Sequence, residues 1–248
     1  IGLYGLSANP PTGLGGHLGV VRYLVSTGNF DEIWVLPVYR HMYRSKRVME
    51  DFEHRVNMCA VSFPAESTTS CIVRVSELEK EVYEQQEASG TSDGSTLALL
   101  EYLKGRRSND SKSWHLVLGS DTFNDVIGGK WKSSDRVLSM VDSVDVALRK
   151  GHTCIYGDEE RLRRPGLVVH IHDIPSLEHT SSTLVREQLS GCGNSSDLHP
   201  QVAAYIEAHG LYQGERHRLC TRQALFTTLL AVSVVLFGGP FVVRWRGS

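Results

Sequence analysis

The feature that most constrains this chain is an alternation. Short apolar runs recur along it, each followed by a polar loop and then by an amphipathic stretch with helical spacing. Strand character falls at 1–6, 32–37, 72–75, 115–118, 143–148 and 167–172, and helical character at 17–27, 52–61, 95–103, 183–189 and 201–209. A strand that feeds a helix and then another strand returns in parallel. The alternation therefore predicts an α/β fold, a Rossmann-like parallel sheet with helices on both faces. The stretches 106–113 and 191–197 are rich in Gly, Ser and Asn and read as surface loops. The 248 residues suffice for one such domain, expected over 1–214, and an appendage.

Charge and cysteine usage narrow the function. A formal net charge of −2 implies no general attraction to nucleic acid, so any phosphate binding must be local. Cys59, Cys71, Cys154, Cys192 and Cys220 are scattered, odd in number and without CxxC spacing. That suits a reducing compartment, with neither a disulfide framework nor a cysteine-built metal site. No GxxxxGK[ST] occurs, and the glycines at 13–16 lack GxGxxG spacing, so neither phosphate fingerprint applies. His170 and His172 share one face of a predicted strand near His179, which reads more readily as partly buried or loop histidines than as a metal site. Ser181 and Ser182 have no arranged His/Asp partners, which makes a serine hydrolase a poor reading.

Two segments carry more chemistry than the rest. Residues 2–17 (GLYGLSANPPTGLGGH) run from a strand through a Gly/Pro-rich loop to a histidine that opens a helix. The N–H groups of such a helix start are expected to offer an anion site. Residues 181–186 (SSTLVR) supply capping hydroxyls, yet place Arg186 near a helix start, where the macrodipole disfavours a cation. A shared anion would resolve that conflict, and two such sites suggest a polyphosphate ligand.

The end of the chain differs. Residues 224–243 (ALFTTLLAVSVVLFGGPFVV) carry no charge, follow a basic linker at 215–223, and precede Arg244 and Arg246. A helix of that length spans about 30 Å, the thickness of a bilayer core. It fits a membrane tail anchor or, alternatively, a buried or partner-binding helix.

In order along the chain, these pieces resemble the nicotinamide/nicotinate-nucleotide adenylyltransferases of the HxGH nucleotidyltransferase superfamily. Residues 5–10 with Gly16-His17 resemble the opening GGSFNPxHxGH. Lys46 and Arg47, followed by His54-Arg55-Val56 and Met58, resemble the basic loop and helix after the second strand. Residues 91–97 resemble the segment lining the pyridine pocket, Gly119-Ser120-Asp121 the GxD turn, and Trp131 the pocket tryptophan. SSTLVR matches SSTxxR, and 202–206 with 209–212 resemble the closing helix. One departure stands out. Five residues, Pro11–Gly15, separate Asn-Pro from Gly-His where the family usually has three. In register with Gly16-His17, Leu14 takes the first histidine's place; with a longer loop, Thr12 does.

The resemblance implies transfer of AMP from ATP to nicotinamide or nicotinate mononucleotide, releasing pyrophosphate, within NAD biosynthesis. Its implied catalytic residues are His17, Lys46 and Arg186. ATP would meet Gly5, Ser7, Thr12, Gly16, His17, Gly119, Asp121, Ser181, Ser182, Thr183 and Arg186; the mononucleotide would meet Asn9, Lys46, Thr96 and Trp131. Mg2+ is expected on substrate phosphates and water, without a dedicated protein cage. The expected partners are ATP and a pyridine mononucleotide, with a homo-oligomer and membrane contact through 224–243 as further expectations and no nucleic acid. The expected location is cytoplasmic. The alternatives are a related adenylyl- or cytidylyltransferase with another phosphate acceptor, or a nucleotide-binding protein without catalysis.

Overall fold

The parallel sheet is present in the computed structural model, which describes residues 1–40, 49–88, 90, 95–106, 111–148, 153–157, 164–177 and 180–213. Its strands are β1 (Gly2–Leu6), β2 (Glu32–Pro37), β3 (Ile72–Val75), β4 (His115–Gly119), β5 (Ser143–Leu148) and β6 (Val169–Asp173). All pair in parallel, in the order β3-β2-β1-β4-β5-β6. Winding reverses between β1 and β4. The loops leaving their carboxyl ends diverge there and open a crevice, the usual ligand position in a doubly wound sheet.

The helices are α1 (His17–Thr27), α2 (Phe52–Ala60), α3 (Leu78–Ala88), α4 (Thr96–Lys104), α5 (Ser120–Ile127), α6 (Ser134–Ser139), α7 (Ser182–Cys192) and α8 (Pro200–His209). They cover both faces because the strands alternate. Leu3, Leu116 and Val144 bury against Val82, Leu99, Phe123 and Val137 of α3–α6. Tyr4, Ile33 and Val117 bury on the other face against Leu18, Val21 and Leu24 of α1. A third cluster, built on Met58, Val185, Leu189, Val202 and Ile206, packs α2 against α7 and α8. The closing helices are thereby fixed to the helix that follows β2.

The structure departs from the sequence reading in places. Helices α3, α5 and α6 were not foreseen; α3 buries only Leu78 and Val82 in a highly charged stretch, so its apolar period is faint. Gly191 belongs to α7 rather than to the loop expected at 191–197, and β6 begins at Val169. His172 meets a buried carboxylate. Its Nε2 lies 2.8 Å from Asp145 Oδ1, and the Ser143 hydroxyl donates to Oδ2 of the same group at 2.9 Å. Among the described residues no cluster of three or more His, Cys, Asp or Glu is placed to hold a metal ion. The linker 215–223 and the apolar stretch 224–243 lie outside the described residues, among which no helix is long and apolar enough to cross a membrane.

Candidate active site

A cavity of about 430 Å3 opens above β1 and β4, large enough for a nucleotide. One end is built by the loop from β1 into α1. There the Thr12 N–H donates to Nδ1 of His17 at 3.0 Å. The Thr12 hydroxyl accepts from the His17 N–H at 2.9 Å and donates to Nδ1 at 2.8 Å. An amide N–H can only donate, so Nδ1 is the acceptor, and the proton of the neutral ring sits on Nε2. Thr12 is 2% exposed and does not line the cavity; it holds the histidine that does. Leu14 projects to solvent, 46% exposed.

The five-residue loop also changes what the start of α1 can do. Its carbonyls fold over the helix start, so that Leu18 N–H donates to Thr12 O at 3.1 Å and Gly19 N–H to Gly13 O at 3.4 Å. The expectation that these N–H groups bind an anion is therefore corrected: the loop already satisfies them. Two glycines make the approach sterically allowed. A Cβ on Gly16 would lie 2.1 Å from Thr12 Oγ1, and one on Gly19 would lie 1.9 Å from Leu14 O.

Segment 181–186 meets this loop from the far end of the chain. Ser181 caps α7, accepting from Leu184 N–H at 3.2 Å. The Ser182 hydroxyl donates to Pro10 O at 2.8 Å. Arg186 donates through Nη1 to Asn9 O at 2.6 Å and through Nη2 to Thr183 Oγ1 at 3.2 Å. Protein oxygens thus offset part of the dipole conflict read from the sequence, and they hold the guanidinium at the cavity wall. Of the opening N–H groups of α7, that of Leu184 is taken by the Ser181 cap, whereas at α1 the loop closes over the N–H groups of His17, Leu18 and Gly19. Asn9 braces the loop: its Oδ1 accepts from Glu50 N–H at 3.1 Å and from the Tyr212 hydroxyl at 2.8 Å. Burial raises the Tyr212 hydroxyl above its ordinary pKa, which keeps it a donor.

Arg55, noticed in the sequence only as part of a basic helix, is the main brace. It is 2% exposed and donates to the carbonyls of Ser7, Val38 and Glu50 at 2.9, 2.6 and 2.9 Å. Burial lowers its pKa. One side chain thereby ties the loops after β1 and β2 to α2. A charged residue amid apolar positions 56, 58 and 59 was the available signal.

The other end of the cavity is lined by Val38, Met49, Glu79, Thr96, Leu99 and Trp131. Thr96 opens α4, whose cap Ser95 accepts from Ala98 N–H at 3.2 Å. Trp131 packs onto the cluster that contains Leu99. Glu79 was not singled out in the sequence. Its Oε2 accepts from Tyr39 N–H at 3.1 Å, and burial pushes its carboxyl up to about 7.

Gly5, Ser7, Asn9, Gly16, His17, Thr96, Gly119, Asp121, Trp131, Ser181, Ser182, Thr183 and Arg186 all border this cavity. Thr12 stands behind it, and Lys46 lies outside the described residues.

Fold and cavity together define a Rossmann-like α/β protein with a cleft at the switch point of its sheet. The comparisons carry the assignment to a family, although no family model matches the chain. A probable nicotinate-nucleotide adenylyltransferase of Myxococcus xanthus is 33% identical over 213 residues, covering 86% of this chain and 94% of the relative. One from Anaeromyxobacter dehalogenans is 28% identical over 215 residues, with 97% of its length covered. The chain belongs to the nicotinate-nucleotide adenylyltransferase family. Its fold is also similar to that of the Plasmodium falciparum nicotinic acid mononucleotide adenylyltransferase. Structures of that protein complexed with NaAD and with APC give TM-scores of 0.64 and 0.63, at 21% and 19% identity. Each covers 85% of this chain and 96% of the other.

Proposed function

We propose that the chain transfers the AMP moiety of ATP to nicotinate mononucleotide, forming the dinucleotide and pyrophosphate. A phosphate oxygen of the mononucleotide attacks the α-phosphorus, and the bond from that phosphorus to the β-bridging oxygen breaks. The attacking group is already an anion near neutral pH, so the protein has no proton to remove. Its task is to hold two anions together in line and to stabilise charge on the departing pyrophosphate.

The observation that carries this reading is the convergence of His17 and Arg186 on one cavity, through hydrogen bonds between the loop after β1 and the start of α7. In this reading His17 donates from Nε2 and Arg186 from its remaining N–H groups to ATP phosphates. Ser181, Ser182 and Thr183 line the same anion site, Gly5, Ser7, Gly16 and Gly119 give close backbone approach, and Asp121 accepts from a ribose hydroxyl. The family resemblance gives Lys46 to the pyrophosphate or the mononucleotide phosphate, and Thr96 and Trp131 hold the pyridine ring. A Mg2+ ion would be held by the substrates and water rather than by a protein cage, and would add charge neutralisation there.

The test is an acceptor panel with ATP or CTP: nicotinate mononucleotide, nicotinamide mononucleotide, phosphopantetheine and phosphocholine. Product is expected from ATP with a pyridine mononucleotide. Product from another acceptor alone would overturn the assignment, and nucleotide binding without any product would favour a non-catalytic protein. The reading places the reaction in the cytoplasm, with 1–214 as the catalytic unit and 224–243 as a membrane tether joined through 215–223. Deleting residues 219–248 should leave turnover intact while moving the protein from membrane to soluble fractions. A full-length protein found only in the soluble fraction would overturn the tether.

A further inference from the structure

Glu79 is an acid in a place that the phosphate chemistry does not use. It stands on the first turn of α3, in the wall shared by the main cavity and a small neighbouring recess lined by Tyr39, Arg40, Tyr83 and Leu99. The Tyr39 N–H fixes one carboxyl oxygen at 3.1 Å. It borders the same cavity as Thr96 and Trp131, to which the proposed function gives the pyridine ring, and shares the adjoining recess with Ser95 and Leu99 beside them.

We propose that the Glu79 carboxyl sets the preference of this site between an acidic and an uncharged substituent on the pyridine ring of the mononucleotide. The inference rests on the functional reading above. Both mononucleotides carry a cationic ring nitrogen, and only nicotinate adds a ring carboxylate. An ionised Glu79 attracts the ring nitrogen of either substrate but repels that carboxylate, whereas a protonated Glu79 donates its O–H to it.

The surroundings place the change in charge near neutral pH. Burial pushes the carboxyl up to about 7, against the pull of the Tyr39 N–H and the Arg55 guanidinium on α2. Other charged groups bordering this region are Arg40, stacked 4.9 Å over the Tyr83 ring and hydrogen-bonded to its hydroxyl, and Asp121 and Asp125 on α5; Lys80, next on the same helix, pairs with Glu77. Asp125 pairs with Lys130 at 2.7 Å. Below the transition Glu79 is neutral and accepts nicotinate; above it, the charge moves the preference toward the amide.

The experiment measures kcat/KM of the full chain for nicotinate and nicotinamide mononucleotides from pH 6 to 8.5. The ratio of the two is the readout, because both substrates carry the same phosphate and ribose, so titrations acting on phosphate chemistry cancel. The nicotinate-to-nicotinamide ratio should fall about tenfold as pH rises through 7. Glu79→Gln, which keeps the shape and an acceptor for Tyr39 N–H, should hold the ratio flat at its low-pH value. A wild-type ratio independent of pH overturns the inference while leaving the function standing. So does a Glu79→Gln protein, folded by thermal melting, that keeps the wild-type slope. No product from either mononucleotide overturns the functional reading, and the inference with it.

Discussion

At the phosphate end of the cavity, Asn9 and Arg186, 177 positions apart, are joined by a hydrogen bond, and Pro10 and Ser182 by another beside it. At the end proposed for the pyridine ring, Glu79, Thr96, Leu99 and Trp131 come from α3, α4 and the connection after α5; Leu99 and Trp131 are held by packing against the sheet and Glu79 by the Tyr39 N–H. Hydrogen bonds to main-chain oxygens fix donors where charge must be met without reorganisation. Packing leaves a shaped, mostly apolar surface in which a few placed polar groups fix orientation. In the proposed reaction the first end serves the chemical step and the second serves choice of substrate.

The largest expected effect breaks the first end. Arg186→Ala should cut kcat/KM by about a thousandfold, with little loss of thermal stability, since removing a cation near a helix start relieves the dipole. A drop in melting temperature that accounts for the lost activity would count against a phosphate role. Next is the brace. Arg55→Met leaves the carbonyls of Ser7, Val38 and Glu50 without their donor and should cost about 3 kcal/mol in denaturant unfolding; a loss below about 1 kcal/mol would show that the loops hold themselves.

Thr12→Val removes the hydroxyl that bonds both His17 N–H and Nδ1. It should lower kcat about thirtyfold, and Thr12→Ser should restore most of it. Equal activity in the valine variant would mean that the Thr12 N–H alone fixes the ring. The smallest effect concerns stability at the second end. The Glu79 carboxyl is raised from 4.5 to about 7, so the folded state holds a proton that the unfolded state has released between those values. Stability is therefore lost as pH rises from 4.5 to 7. Glu79→Gln should be more stable than wild type by about 1 kcal/mol above pH 7, allowing for partial solvent access, with the gap closing near pH 4.5. A gap unchanged with pH would remove the titration from the account.

What could be read from the sequence follows the same division. His17, Ser181–Arg186 and the strands beneath them are local patterns, in which a strand, its turn and the next helix cap lie within a few residues. The role of Thr12 was only half readable. Residue type shows a hydroxyl, but whether it faces the ligand or the histidine depends on how the loop folds over α1. That in turn depends on close approaches at Gly16 and Gly19. Glu79 was unreadable among Glu77, Glu81 and Glu84, since exposure separates these carboxylates only once α3 is packed. Arg55 likewise became a brace only when the carbonyls of three separate segments met it.

The most direct test of the division is a single-turnover measurement of adenylyl transfer with both substrates saturating, comparing Arg186→Ala with Trp131→Ala. Arg186→Ala should slow the chemical step at least a hundredfold. Trp131→Ala should leave it within about threefold of wild type, while raising KM for the mononucleotide about tenfold through lost stacking. Equal slowing by both variants, or an unchanged step in Arg186→Ala, would contradict the account.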